Sequence, residues 1–194
     1  MDRIDQFYNS AIDTYGLYDP RALHWQDPFS QVERFRVLSE VGKMRGHSLL
    51  DVGCGFGDLF GHVQKKSTDV EYTGIDINER MIEAARAKYT DALFVIQDFG
   101  AYSGKMVHYA LASGTFSFKI ADHQKIYFEY IRKMFDLSRK AVAFNMLNAR
   151  YHVNDDTYAA YLVPAVYDFC TTFTDKVLIR QDYLPQDFTV YLYH

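Results

Sequence analysis

From His47 onward, short apolar runs alternate with amphipathic stretches, and the two periodicities separate cleanly. Ser-Leu-Leu-Asp-Val at 48–52 reads as a buried strand, and 58–66 as a helix. A strand at 71–77 and a helix at 79–89, with Met81, Ile82 and Ala85 inward, follow. Next come strands at 93–97 and 106–112, then a helix at 121–137 that places Ile126, Tyr130, Met134 and Leu137 on one face. A strand at 141–145 closes the series. Strands alternating with helices predict an α/β fold built on one doubly wound, mostly parallel sheet of Rossmann-like type. The tail differs: 176–184 and 187–194 are extended runs joined by a Pro-containing turn, which predicts an antiparallel hairpin at the C-terminal sheet edge.

Two segments flank or interrupt this pattern. In 1–45, Asp27-Pro28 is a helix start, an N-cap acceptor followed by proline at the first helical position, and Val32, Phe35, Leu38 and Val41 then recur at helical spacing. In 146–170, Asp155-Asp156 offers a cap, yet Pro164 falls where that helix would continue, so a break is expected near 162–164. No repeat or Pro/Gly linker appears. The 194 residues therefore read as one domain, with 1–45 as N-terminal helices forming a lid and 46–194 as the core.

Composition narrows the function. A net charge of −4 with scattered basic pairs gives no stripe for phosphate backbones and disfavours nucleic acid as a partner. Cys54 and Cys170 have no paired spacing, which fits a reducing compartment. The charged start Met1-Asp2-Arg3 is no secretory leader, and no run reaches about 18 apolar residues. A cytoplasmic protein without membrane contact, monomer or homodimer, is the expectation. With 16 tyrosines and 15 phenylalanines, some rings are expected to line a pocket.

The chemistry concentrates after the first strand. Asp51-Val52-Gly53-Cys54-Gly55-Phe56-Gly57 ends a strand in three alternate glycines and opens a helix, a loop through which backbone approaches a ligand closely. Asp51 and Asp58 flank it. Both disfavour a pyrophosphate at the helix N-terminus and suit a cation, such as the sulfonium and ammonium of S-adenosylmethionine. Asp76 ends the second strand 19 residues beyond Gly57, where a carboxylate can accept from ribose hydroxyls. Asp98 follows the third strand, with Phe99 beside it to pack on a base.

These acids behind the loop resemble the class I S-adenosylmethionine-dependent methyltransferases over nearly the whole chain. The resemblance implies that the backbone around Gly53, Cys54 and Gly55 meets the methionine part of that cofactor, Asp76 the ribose, Asp98 and Phe99 the adenine, and Ser113 the edge beside the sulfonium, with Asp51, Gly57 and Ile77 also among the cofactor-binding residues. The stretch 7–15 looks like an aromatic helix closing over the methyl donor. Likewise Trp25, Gln31 and Arg34 look like a lid whose arginine reaches the cofactor carboxylate.

Methyl transfer needs alignment and a dry pocket more than a nucleophile, and a base only where the acceptor must lose a proton. His24, His123 and His152 are the candidate bases, with His152 favoured because Asp155 and Asp156 follow it; the bland reading is that they are surface or capping residues. Tyr8 and Tyr15 are the other catalytic candidates. With Tyr151 and Tyr158 they could shape the pocket of a small-molecule acceptor and face the sulfonium, although such rings are more often core or surface. No ion-specific spacing is present, so no metal is expected. Two rivals share the sheet: an NAD(P)-dependent oxidoreductase, which would want a Tyr-x-x-x-Lys pair that the chain lacks, and a non-catalytic S-adenosylmethionine-binding regulator.

Overall fold

The computed structural model describes residues 2–25, 27–151 and 156–194. Five strands run parallel: β1 (Ser48–Val52), β2 (Glu71–Asp76), β3 (Leu93–Ile96), β4 (Val107–Ala112) and β5 (Ser138–Asn148). A two-residue strand, β6 (Ala160–Tyr161), pairs parallel with the end of β5. The antiparallel pair β7 (Val177–Arg180) and β8 (Asp187–Tyr193) completes the order β3-β2-β1-β4-β5-β8-β7. The hairpin is therefore where the sequence places it, but β8 is an interior strand and only β7 lies at the edge.

Alternation along β1 feeds two cores. Leu50 and Val52 join Ile75, Phe144 and α5 (His123–Leu137) on one face, with α6 (Val163–Thr171) behind them. Leu49 joins Tyr72, Phe94 and Tyr109 on the other, under α2 (Pro28–Ser39), α3 (Asp58–Gln64) and α4 (Glu79–Lys88). Because both faces are covered, the central strands β1 and β4 are buried along most of their length.

A third, smaller cluster holds the N-terminal segment down. Ile12 of α1 (Asp2–Tyr15) and Ala22 pack with Phe56, Met81 and Ala84. Polar bonds add to it: Asn78 Nδ2 donates to Asp5 at 3.2 Å and Asn9 at 3.1 Å, and Arg80 Nη1 to Asp13 at 2.8 Å. Asp27 caps α2 through the Ser30 N–H at 2.8 Å, as its sequence predicts.

Several details depart from the sequence pattern. Val32 points outward, 49% exposed, while Gln31 and Arg34 are buried, so α2 turns a partly polar face to the protein. On α5 the most buried side chains are Tyr127, Ile131, Met134 and Phe135, one residue round from the predicted stripe. Near Pro164 the chain does change element, but proline starts α6 instead of stopping a helix, since its missing N–H is unneeded in a first turn.

Candidate active site

A cavity of about 740 Å³ opens at the carboxyl ends of the strands, over the point where β1 is flanked by β2 on one side and β4 on the other. In open α/β sheets this crevice is where ligands bind. Its floor is the glycine loop. Gly55 has φ 52°, a left-handed backbone, and a Cβ there would approach Leu23 of the N-terminal segment at 3.2 Å. Gly57 serves packing: it does not line the cavity, and a Cβ there would strike the Phe94 ring at 2.8 Å.

Asp76 braces this loop. Its Oδ2 accepts from the Gly55 N–H at 2.9 Å and its Oδ1 from the Asn78 N–H at 3.0 Å. Burial raises its pKa against those backbone donors. The Ile77 N–H is a further donor, and with two acceptor sites on each carboxylate oxygen these three donors leave acceptor capacity for a hydroxyl. Asp98 behaves differently: Oδ1 accepts from the Gly100 N–H at 2.6 Å and the Tyr130 hydroxyl at 2.7 Å, which leaves Oδ2. Phe99 is buried beside it and lines the cavity, as do Cys54, Ile77 and Ser113.

Asp51 is the unusual acid. It is 1% exposed, one oxygen accepts from the Tyr72 hydroxyl, and the other, Oδ1, is buried without a partner. Burial pushes its pKa up to about 7, although the Tyr72 hydrogen bond pulls it down. Asp58 carries its charge elsewhere: Lys88 Nζ lies 2.6 Å from Oδ1, and Gln31 donates to Oδ2 at 3.5 Å. The expectation that Asp58 helps attract a cation is therefore corrected, because Lys88 offsets it.

Unpartnered buried polar atoms gather here. Among the described residues six side chains carry such an atom, and four of them (His24, Trp25, Asp51 and Ser113) line the cavity. A fifth, Asn145, accepts from the cavity-lining Gly114 N–H at 2.8 Å while its own Nδ2 has no partner. Buried polar groups are normally satisfied, so the concentration marks a place completed by a polar ligand.

The lid candidates converge on this cavity. Trp25, Gln31 and Arg34 all line it, with the Arg34 guanidinium 4.4 Å from the Trp25 ring. Arg34 is not wholly available, because Nε and Nη2 grip Asp187 of β8 at 2.9 and 2.8 Å in a buried pair. Tyr8 and Tyr158 line the cavity, whereas Tyr15 and Tyr151 are 43% and 57% exposed and do not. Of the histidines, His24 lines it and His123 does not; His152 and Asp155 lie outside the described residues. Sequence reasoning missed Phe118 and Tyr127, which the α5 side of the fold contributes. Tyr127 lies three positions before Tyr130, a helical spacing that could have pointed to it.

Comparison with known proteins agrees with this geometry. A methyltransferase domain family matches residues 49–134. A putative methyltransferase of Mycobacterium tuberculosis is 27% identical over 152 residues, spanning 74% of this chain and 90% of that protein. Among solved structures, magnesium protoporphyrin IX methyltransferase from Synechocystis PCC 6803 with bound SAH superposes with a TM-score of 0.70 at 13% identity, covering 98% of this chain and 97% of the other. The plantazolicin methyltransferase BpumL, in complex with a pentazolic desmethylPZN analog and SAH, gives 0.69 at 17% identity, covering 98% and 94%. With the glycine loop, the acids at its strand tips and these similarities in hand, residues 49–134 are a methyltransferase domain, and the chain as a whole is similar to the S-adenosylmethionine-dependent methyltransferases.

Proposed function

We propose that the cavity holds S-adenosylmethionine along the strand tips and that the chain transfers its methyl group to a small-molecule acceptor. The carrying observation is the partnerless Asp51 Oδ1 in a cavity whose other orphaned atoms, on Ser113 and Trp25, surround the same space. A buried carboxylate without a counter-charge is costly, and a cationic group placed against it relieves that cost. The cofactor's ammonium fits Asp51, a ribose hydroxyl the remaining acceptor capacity of Asp76, and its adenine amino group the Oδ2 of Asp98. Its carboxylate fits the Nη1 edge of Arg34 that Asp187 leaves over.

When bound, the cofactor supplies a methyl group on a positively charged sulfur, already an activated leaving group. The chain's own part is alignment and exclusion of water. Residues 1–45 act as the lid of a single domain whose core is 46–194: α1 brings Tyr8 and Arg3 to the cavity, and the segment after it brings Trp25.

A small acceptor fits a cavity of about 740 Å³ on a chain that carries no basic stripe. The solved relatives named for magnesium protoporphyrin IX and for plantazolicin fit that reading. Two buried free cysteines support a cytoplasmic protein; among the described residues no helix is long and apolar enough to cross a membrane.

The test is thermal. S-adenosylmethionine, but not NAD, raises the melting temperature of the purified chain, and a screen of metabolite classes that reads released S-adenosylhomocysteine then finds the acceptor. Stabilisation by NAD alone would overturn the assignment.

A further inference from the structure

The end of the cavity facing the N-terminal segment has a chemistry of its own. His24 occupies the left-handed position, φ 57°, that closes the short 3₁₀ turn Pro20–Leu23. Its ring stacks on Phe7 with centroids 4.0 Å apart and meets the edge of Tyr8 at 5.9 Å. Phe7 in turn lies 4.7 Å from Phe118, and the Arg3 guanidinium sits 5.7 Å from that same ring. Nε2 of His24 is buried and has no hydrogen-bond partner among the described residues. Burial alone lowers the imidazole pKa, with no neighbouring charge contributing, so the ring is neutral at pH 7.

An imidazole that is held by stacking, neutral, and left with an unpartnered buried nitrogen, on a residue that lines the cavity, is equipped to take a proton. Resting on the methyltransferase reading above, we propose that His24 is the general base of the transfer and that the acceptor is a small aromatic hydroxyl compound lying against Phe118 and Tyr8.

The class follows from the walls. Arg3 opposes a cationic amine. A phenol, with a pKa of about 10 in tyrosine, also gives up its proton to a neutral imidazole far more readily than an aliphatic alcohol does. In the step, Nε2 takes the hydroxyl proton and an oxygen lone pair forms the new O–C bond to the methyl carbon. The C–S bond breaks with its electron pair left on sulfur. The products are an aryl methyl ether, the neutral thioether S-adenosylhomocysteine and an imidazolium that returns its proton to water.

The probe is 4-nitrophenol, added to the full chain with S-adenosylhomocysteine at a pH where the free phenol is mostly protonated. Calorimetry first establishes that S-adenosylhomocysteine binds the wild type and His24→Asn alike, asparagine being tolerant of positive φ. Phenolate absorbance then rises on binding to the wild type and is at least about tenfold smaller in His24→Asn. In the wild type, nuclear magnetic resonance of the His24 ring shows it gaining a proton as the phenol binds, a readout that needs no variant.

With the methyl donor present, methylation of unsubstituted phenol falls by about 10²-fold in His24→Asn, within the range for a general base. Methylation of the readily ionised 4-nitrophenol falls much less. Equal phenolate in both proteins, an unchanged His24 ring, or no phenol binding while S-adenosylhomocysteine still binds would each overturn the proposal. Failure of S-adenosylhomocysteine to bind the wild type would instead bring down the cofactor reading, and this one with it.

Discussion

At the strand tips the cavity is walled by loop backbone and by carboxylates: Asp76 is braced by the N–H groups of Gly55 and Asn78, and Asp98 by that of Gly100. Across from them the walls are side chains from distant parts of the chain, His24 and Tyr8 from the N-terminal segment and Phe118 and Tyr127 from around α5. The first region is fixed by strand ends and tight turns and is suited to one invariant ligand. The second is assembled from rings on surface-borne elements, so its shape can vary without disturbing the sheet. On the proposed function the first region holds the methyl donor and the second the acceptor.

The largest effect is expected at the buried ion pair beside both regions. Arg34→Ala breaks the buried ion pair with Asp187, and breaking a buried pair costs about 3–5 kcal/mol. Denaturant unfolding is expected to show that loss, and a change below about 1 kcal/mol would mean that the pair is not part of the folded protein's support. Next, Asp76→Asn removes a charged acceptor from the donor region. Calorimetry should find S-adenosylmethionine bound roughly 10- to 100-fold more weakly, the worth of about 1.5–3 kcal/mol for a hydrogen bond to a charged group.

Asp51→Asn sharpens the comparison through pH. The folded pKa of Asp51 is raised, so its stabilising contribution is present below the usual carboxylate range, near 4, and is lost as pH rises through about 7. At pH 8 the variant is therefore expected to melt higher than the wild type without ligand, yet to bind S-adenosylmethionine more weakly. A cation prefers the ionised carboxylate, so wild-type affinity should fall by up to about tenfold per pH unit below pH 7. Flat affinity in the wild type over that interval would remove Asp51 from the site. The smallest effect is expected for Tyr15→Ala. Tyr15 is exposed and outside the cavity, so stability should stay within about 0.5 kcal/mol and S-adenosylhomocysteine release should be unchanged.

Much of the donor region is legible in the chain's local pattern. A strand running into alternate glycines and a helix is a local event: Asp51 to Gly57 spans seven positions, and their geometry follows from backbone sterics and the turn they must make. Asp76 and Asp98 stand out because each terminates a recognisable strand. The acceptor region is only half legible. Of the two tyrosines that the pattern singles out as catalytic candidates, Tyr8 lines the cavity and Tyr15 does not. Spacing favours His152 over His24, because neighbouring acids are visible in sequence whereas burial and stacking are not.

The sequence by itself determined the alternation of strands and helices, the turn after β1 and the acids behind it, all matters of residues within one or two turns of each other. Only the tertiary structure decided what those acids are worth. Lys88, 30 positions away, claims Asp58; Asp187, 153 positions away, claims Arg34; and Tyr72 satisfies one oxygen of Asp51 while the other goes without. Charge and hydrogen bonding act through space over a few ångströms, and which groups come within that reach is settled by packing, not by position along the chain.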